Sequence, residues 1–290
     1  MLASAMKAAR LIPLAVLLAS GRSLAEGPAP PEPDKSGYNL FHPVPDDLLR
    51  DLDTDRPDKT NSPHTVDAGH FQLETGLVTF TRNTDSGVRT EAWTFADTDF
   101  RIGLIDWAEL QLEIPFYQSS RDTDRASHET ERDSGIGDLT VVLKTNFWGN
   151  DPGDTAGGME LFVTTPTASH GLGSGKVEGG ATFLLALELP GDFDLGLNNG
   201  VGIAANDGSG YHADIVNSIS VSHQIAGPLS GYVEFFSSVP TQHSGDWEGT
   251  VDVGSLLTIG KNFQLDAGLN IGVTHGADDL QPFLGASYRF

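Results

Sequence analysis

The chain has 290 residues, a formal net charge of −23, a hydrophobic fraction of 38% and no cysteine. So acidic a chain is repelled by nucleic-acid phosphates, and an exported domain of this size without disulfides must be held by packing or by a closed hydrogen-bond network. After the N-terminus no apolar run is long enough for a membrane-spanning helix, while the modest hydrophobic fraction suits a membrane β-barrel, where only alternate residues face lipid.

Lys7 and Arg10 precede the apolar run Leu11–Ala19, and Ser23-Leu24-Ala25 follows as a small-x-small site. That order predicts a cleaved secretory signal over residues 1–25. Removing it with Lys7, Arg10 and Arg22 would take the net charge to about −26. Residues 26–69 read as a periplasmic leader or plug segment. Gly27–Pro33 (GPAPPEP) is polyproline-like. Val44–Leu52 is predicted as a short helix opened by Pro45 and two aspartates. The stretch 53–69 is polar and broken by Pro57, Pro63 and Gly69.

From His70 onward the pattern has period two. In Phe263–Thr274, Phe263, Leu265, Ala267, Leu269, Ile271 and Val273 share one face, and Gln264, Asp266, Gly268, Asn270, Gly272 and Thr274 the other. Only a strand separates such sets. About twelve strands are predicted, over 70–82, 89–104, 108–119, 136–148, 157–166, 179–190, 193–205, 211–226, 229–239, 248–260, 262–275 and 281–290. Tight turns at 105–107, 190–192, 227–228 and 260–262 alternate with long polar loops at 120–135, 167–178, 206–210, 241–247 and 276–280; the connection 149–156 is long on the short-turn side. The predicted fold is therefore all-β: an antiparallel up-and-down transmembrane barrel of 70–290, short turns toward the periplasm, with an irregular plug-like N-terminal segment. A soluble sandwich would have to bury its polar face in a dry core, and here that face carries acids and glycines on most strands. The expected place is the outer membrane of a Gram-negative bacterium. Expected partners are its lipid and lipopolysaccharide, the barrel-assembly machinery and a small-molecule solute, with no nucleic acid. The last strand puts Leu284, Ala286, Tyr288 and Phe290 outward. Tyr288 and Phe290 would lie at the membrane interface and resemble a C-terminal assembly signal.

Strand parity turns charged residues inward: Glu74, Asp97, Asp99, Arg101, Glu109, Glu113, Asp138, Lys144, Glu160, Glu188, Asp194, His212, Asp214, Glu234, Asp252, Asp266 and Arg289. Each ionised group needs water or a partner, and Arg101, Lys144 and Arg289 are the candidate partners. The set is either a salt-bridged, hydrated filling or the lining of a cation-preferring conduit. Inward aromatics are Trp93, Phe95, Tyr117, Phe162, Tyr232, Phe236 and Phe283, a surface for an aromatic solute or for the N-terminal segment. Catalytic residues, metal ligands and cofactors are not expected. His212 beside Asp214, with Ser218, Ser220 and Ser222 on one face, is the nearest approach to a hydrolase triad, and no strained turn presents a nucleophile. The histidines lack metal-binding spacing.

The stretch Thr54-Asp55-Arg56-Pro57 through Thr60, Ser62 and Pro63, leading to Gly69, Gln72 and Glu74, resembles the opening motif of the outer-membrane transporter family named after the meta-pathway of phenol degradation. Gly137-Asp138-Leu139 with Lys144, Arg101-Ile102-Gly103-Leu104 and Thr165-Pro166-Thr167 are similar to later family segments, though Ala168 stands where a glycine is usual. The resemblance covers 40–290. It implies an outer-membrane barrel that moves small hydrophobic or aromatic compounds, and no catalytic residues. The motif residues are expected to fold into the periplasmic mouth, with Arg56 paired to an inward acid. The rivals to a passive transporter are a non-conducting structural or adhesive barrel and, less favoured, a membrane-embedded hydrolase.

Overall fold

The period-two pattern is realised as thirteen antiparallel strands in the computed structural model, which describes residues 34–290 except 152, 207, 243 and 244. The expected signal segment and the start of the leader lie outside the described residues. The strands are β1 (Phe71–Asp85), β2 (Val88–Ile105), β3 (Ala108–Asp124), β4 (Thr130–Gly135), β5 (Leu139–Trp148), β6 (Thr155–Thr165), β7 (Glu178–Leu189), β8 (Phe193–Ala205), β9 (Tyr211–Ala226), β10 (Leu229–Pro240), β11 (Glu248–Ile259), β12 (Phe263–Gly272) and β13 (Leu280–Arg289). Neighbours in sequence pair in space, β1 closes onto β13, and β3 pairs β5 directly. Twelve strands form a closed barrel. The extra strand β4 folds back on the outer end of β3, with Arg121 opposite Arg132. Closure leaves no edge in the barrel wall for another chain to pair with.

Burial is inverted relative to a water-soluble protein. Arg101, Glu109, Lys144 and Asp252 are fully buried, whereas Val233 is 57% and Leu284 51% exposed. Outward apolar side chains replace a hydrophobic core, as a lipid solvent requires. Cross-strand register aligns polar residues inside: Gln72 faces both Arg289 and Arg101, Arg101 faces Gln111, Glu109 faces Lys144, and Lys144 faces Glu160.

Two expectations are corrected. Val44–Leu52 is not a helix; it holds only a turn, with Leu48 N donating to Pro45 O. Two further backbone donors are taken from outside, Val44 N by Ala68 O and Arg50 N by the Asp67 carboxylate. The polar loop expected over 120–135 is in part strand: β3 runs on to Asp124 and β4 returns along it. β1 and β2 likewise extend outward to a turn in which Ser86 (φ 48°) and Gly87 (φ 87°) both adopt left-handed backbone, the conformation that lets a two-residue loop follow the strand twist.

Candidate functional site

At the short-turn end the lumen is occupied by the chain's own residues 50–67, which hold no regular structure. Their polar groups are satisfied by the barrel wall. The Asp55 carboxylate receives Lys144 Nζ at 2.5 and 2.6 Å and Gln111 Nε2 at 2.9 Å, with Arg101 at 3.3 Å. Arg101 also binds Glu74 at 2.7 Å, Glu109 at 2.8 Å and the His64 carbonyl at 3.2 Å. Its planar fork serves three carboxylates at once. Lys144 reaches Glu160 at 3.2 Å, and Asn61 donates to the same carboxylate at 2.9 Å.

Further along, Arg56 donates to Asp266 at 2.8 Å, its backbone N–H donates to Glu74 at 3.0 Å, and its guanidinium lies 5.6 Å from the Phe283 ring centre. Lys59 N–H donates to Glu234 at 3.0 Å; its ammonium lies 3.4 Å from Asp252 and 4.6 Å from the centre of the Phe236 ring. The Thr60 hydroxyl sits 2.5 Å from Glu234 and 2.7 Å from Ser218. Glycines make room for the segment. A Cβ on Gly103 would lie 2.1 Å from the Asp67 carbonyl, and one on Gly285 would lie 2.3 Å from the Arg56 guanidinium. At the mouth, Arg50 joins Asp67 (3.2 Å), Asp106 (2.5 Å) and Asp151 (3.1 Å), and Lys35 joins Asp151 at 2.8 Å.

Three titrating groups of the segment are shifted. Burial, with the nearby Asp55 and Asp53 charges, pushes Asp58 up to about 7 against the hydrogen bond from Ser220. Burial works against both members of the His64–Asp53 pair, yet their attraction across 3.3 Å prevails: His64 rises above its usual value and Asp53 falls to about 2. Beside the segment a cavity of about 540 Å³ remains, bounded by Asp58, Ala186, Glu188, Asp194, Ser222 and Tyr232.

The long-loop half of the lumen is different. A bulge between Gly76 and Val78 shifts the β1–β13 register by one, and Ala96 on β2 takes φ 51° beside it. Past it Thr79 pairs with the lumen-facing Phe283 and Thr81 Oγ1 accepts from Gln281, so the faces are exchanged. The expected inward placement of Trp93, Phe95 and Tyr117 is therefore corrected: with Phe80 they form an outward row, ring centres 4.7, 6.1 and 6.2 Å apart, on the membrane side. The lumen face before the bulge carries Asp97 and the opposed pair Asp99 and Glu113. Among the described residues, none of these three carboxylates has a hydrogen-bond or ion-pair partner, and Asp99 Oδ1 is shielded without one.

Other expected site residues are placed as follows. Asp138 precedes β5 and accepts the Ala168 N–H among the outer loops. Glu188 is exposed near the short-turn end. Arg289 engages no carboxylate among the described residues; it donates to Asn262 Oδ1 at 3.0 Å and Arg50 O at 2.8 Å. Tyr288 and Phe290 lie outward, 4.9 Å apart and edge to face. His212 contacts Asp214 (3.2 Å) and Asn206 (2.7 Å), while Ser218 faces Thr60 and Ser222 faces Asp194. The serines and the histidine are not brought together. The uncharged amides Gln72, Gln111, Asn146 and Gln264, which bind Asp53 O, Asp55, Pro63 O and Thr54, were not among the expected residues. Their inward parity is the signal that finds them.

A family model described as "Putative MetA-pathway of phenol degradation" matches residues 54–290. Among solved structures, an outer membrane channel from Pseudomonas putida F1 superposes with a TM-score of 0.56 at 12% identity, covering 76% of this chain and 95% of that one. The transport unit of the autotransporter AIDA-I from Escherichia coli gives 0.46 at 12% identity, covering 82% and 93%. An anion-selective porin from Comamonas acidovorans gives 0.38 at 8% identity, covering 76% and 98%. The first likeness concerns the fold alone; the other two are too loose to carry an argument. No curated protein matches the chain.

Proposed function

The chain belongs to this phenol-degradation family, and from that premise we propose that it is a passive outer-membrane channel for small solutes of apolar or aromatic character, closed at its periplasmic end by its own residues 50–67. In this reading residues 1–25 direct export and are removed, residues 26–69 form the leader and plug, and residues 70–290 form the barrel. The observation that carries it is the contrast within one lumen: the unpartnered carboxylates Asp97, Asp99 and Glu113 in the outer half, above a lower half filled by residues tied through Asp55, Arg56 and Lys59. At twelve strands a barrel is wider than the side-chain-filled eight-stranded case and narrower than an open porin, so a single chain segment suffices to close it. The carboxylate excess above the segment would favour cations among charged permeants.

The test is single-channel conductance of the refolded mature protein in a planar bilayer, with and without residues 26–69. Rare or small steps that become frequent, larger and cation-preferring on deletion support the channel. Silence in both forms overturns it. The density of ion pairs around Arg101 and Lys144 favours a second reading, a non-conducting structural barrel stiffened by a fixed filling, and silence with a folded deletion variant would select it.

A further inference from the structure

The lipid-facing surface carries one feature that neither the channel nor its closure uses. Asn199, at the centre of β8, and Asn217, its cross-strand partner on β9, are both exposed on the outward face. Their amides hydrogen-bond to each other at 2.5 Å. Phe183 pairs with Asn199 on one side, and on the other Asn217 pairs with Ser237, whose hydroxyl accepts from Trp247; Phe183, Leu185, Ile219 and Phe235 frame a shallow groove of about 460 Å³ around the amides. Among the described residues the pair makes no other side-chain hydrogen bond. One amide carbonyl and three amide hydrogens therefore point into a region where lipid tails offer no partner. Between membrane helices such polar side chains hydrogen-bond across the contact and act as glue, and the same chemistry is open to two barrels.

We propose that this face is the interface of a homodimer, in which the Asn199–Asn217 pair of one copy meets the same pair of a second copy. Two identical barrels inserted in the same direction can be related only by an axis along the membrane normal, and such an axis keeps every residue at its own depth. Paired positions on adjacent strands lie at nearly one depth, so the free carbonyl of one pair meets a free amide hydrogen of the other, and the two-fold repeats the contact. The amide pair is its own complement: it presents acceptor and donor side by side, which a lipid tail cannot answer and a second copy can. Phe183 and Phe235 flank the amide contact and shield it from lipid. This inference is independent of what passes through the lumen.

The chain has no cysteine, so single introduced thiols report proximity cleanly. The mature protein in lipid nanodiscs large enough for two barrels is expected to be dimeric by native mass. Ile219→Cys, which keeps the amide pair, should form a disulfide-linked dimer on mild oxidation, while Leu265→Cys on β12 should not. Asn199→Leu with Asn217→Leu makes the outer face more lipid-like, so the barrel should fold. With the two hydrogen bonds between the barrels removed, the dimer dissociation constant should rise about tenfold. A monomeric wild type, or a dimer indifferent to the double leucine variant, would overturn the proposal. So would equal cross-linking at positions 219 and 265.

Discussion

The two halves of the lumen are lined by the same residue types and treat them in opposite ways. In the lower half Arg101 and Lys144 are fully buried and each answers several carboxylates, with the chain's own Asp55 among them. In the upper half Asp97, Asp99 and Glu113 face no such partners. The reason lies in what fills the space. A dry lumen demands that every charge be paired, while a wet one lets water do it. The upper acids are thus free to meet a permeant, and the lower ones are already committed.

The comparison can be broken by mutation. The largest effect is expected for Arg101→Met, which leaves Glu74, Glu109 and Asp55 without their common cation; removing one partner from a buried set costs about 3–5 kcal/mol. A lower denaturant midpoint and loss of heat-modifiable gel mobility would record it. Glu113→Gln in the upper half should stay within about 0.5 kcal/mol of wild type, and equal losses at both sites would erase the distinction. Next in size is Gly103→Ala. Its Cβ meets the backbone of Asp67, so the segment must shift, at about 1–3 kcal/mol. Gly202→Ala, whose nearest neighbour lies 3.8 Å away, should be neutral by the same unfolding assay.

A smaller effect is expected from pH. Asp58, held up to about 7, favours the seated segment in its protonated form, so its contribution is full below the usual aspartate range and is lost as pH rises through about 7. His64, raised by Asp53, acts in the same direction, and Asp53, at about 2, loses its contribution only as pH falls toward that value. Seating should be firmest near about pH 4, weaken as pH rises toward about 7 and be loosest by about pH 8. Limited proteolysis between residues 50 and 67 at pH 5.5 and 8 checks this, and Asp58→Asn should flatten the difference.

Parity made much of the wall legible. The spans 193–205 and 211–226 match β8 and β9 end to end, and the faces of Phe263–Thr274 follow from alternation alone. The strand β4 escaped because Thr130-Glu131-Arg132-Asp133 has no apolar face: it stands on an exposed ladder, where alternation carries no burial signal. Val44–Leu52 read as a helix because local capping was weighed without the distant Asp67 that takes Arg50 N–H. Within the site, an inward acid was anticipated for Arg56, but not which one. Asp266 lies 210 residues away, and Asp55 meets Lys144 across 89. Such pairs depend on which strands closure brings across the lumen, and residue types alone do not contain that information.

The barrel rim is uneven. β2 has 18 residues and β12 has 10. At about 3.4 Å per residue and a tilt of about 40° they rise roughly 46 and 26 Å. An apolar band takes about 25 Å of that height, so β12 ends near the membrane surface while β2 and its neighbours stand roughly 20 Å above it. The tall side bears Trp93, Phe95 and Tyr117 on its outer face, a girdle where that wall leaves the apolar band. The opening therefore slants like a cowl, and molecules moving along the lipopolysaccharide layer from the low lip would meet the inner face of the tall wall before molecules arriving from directly above.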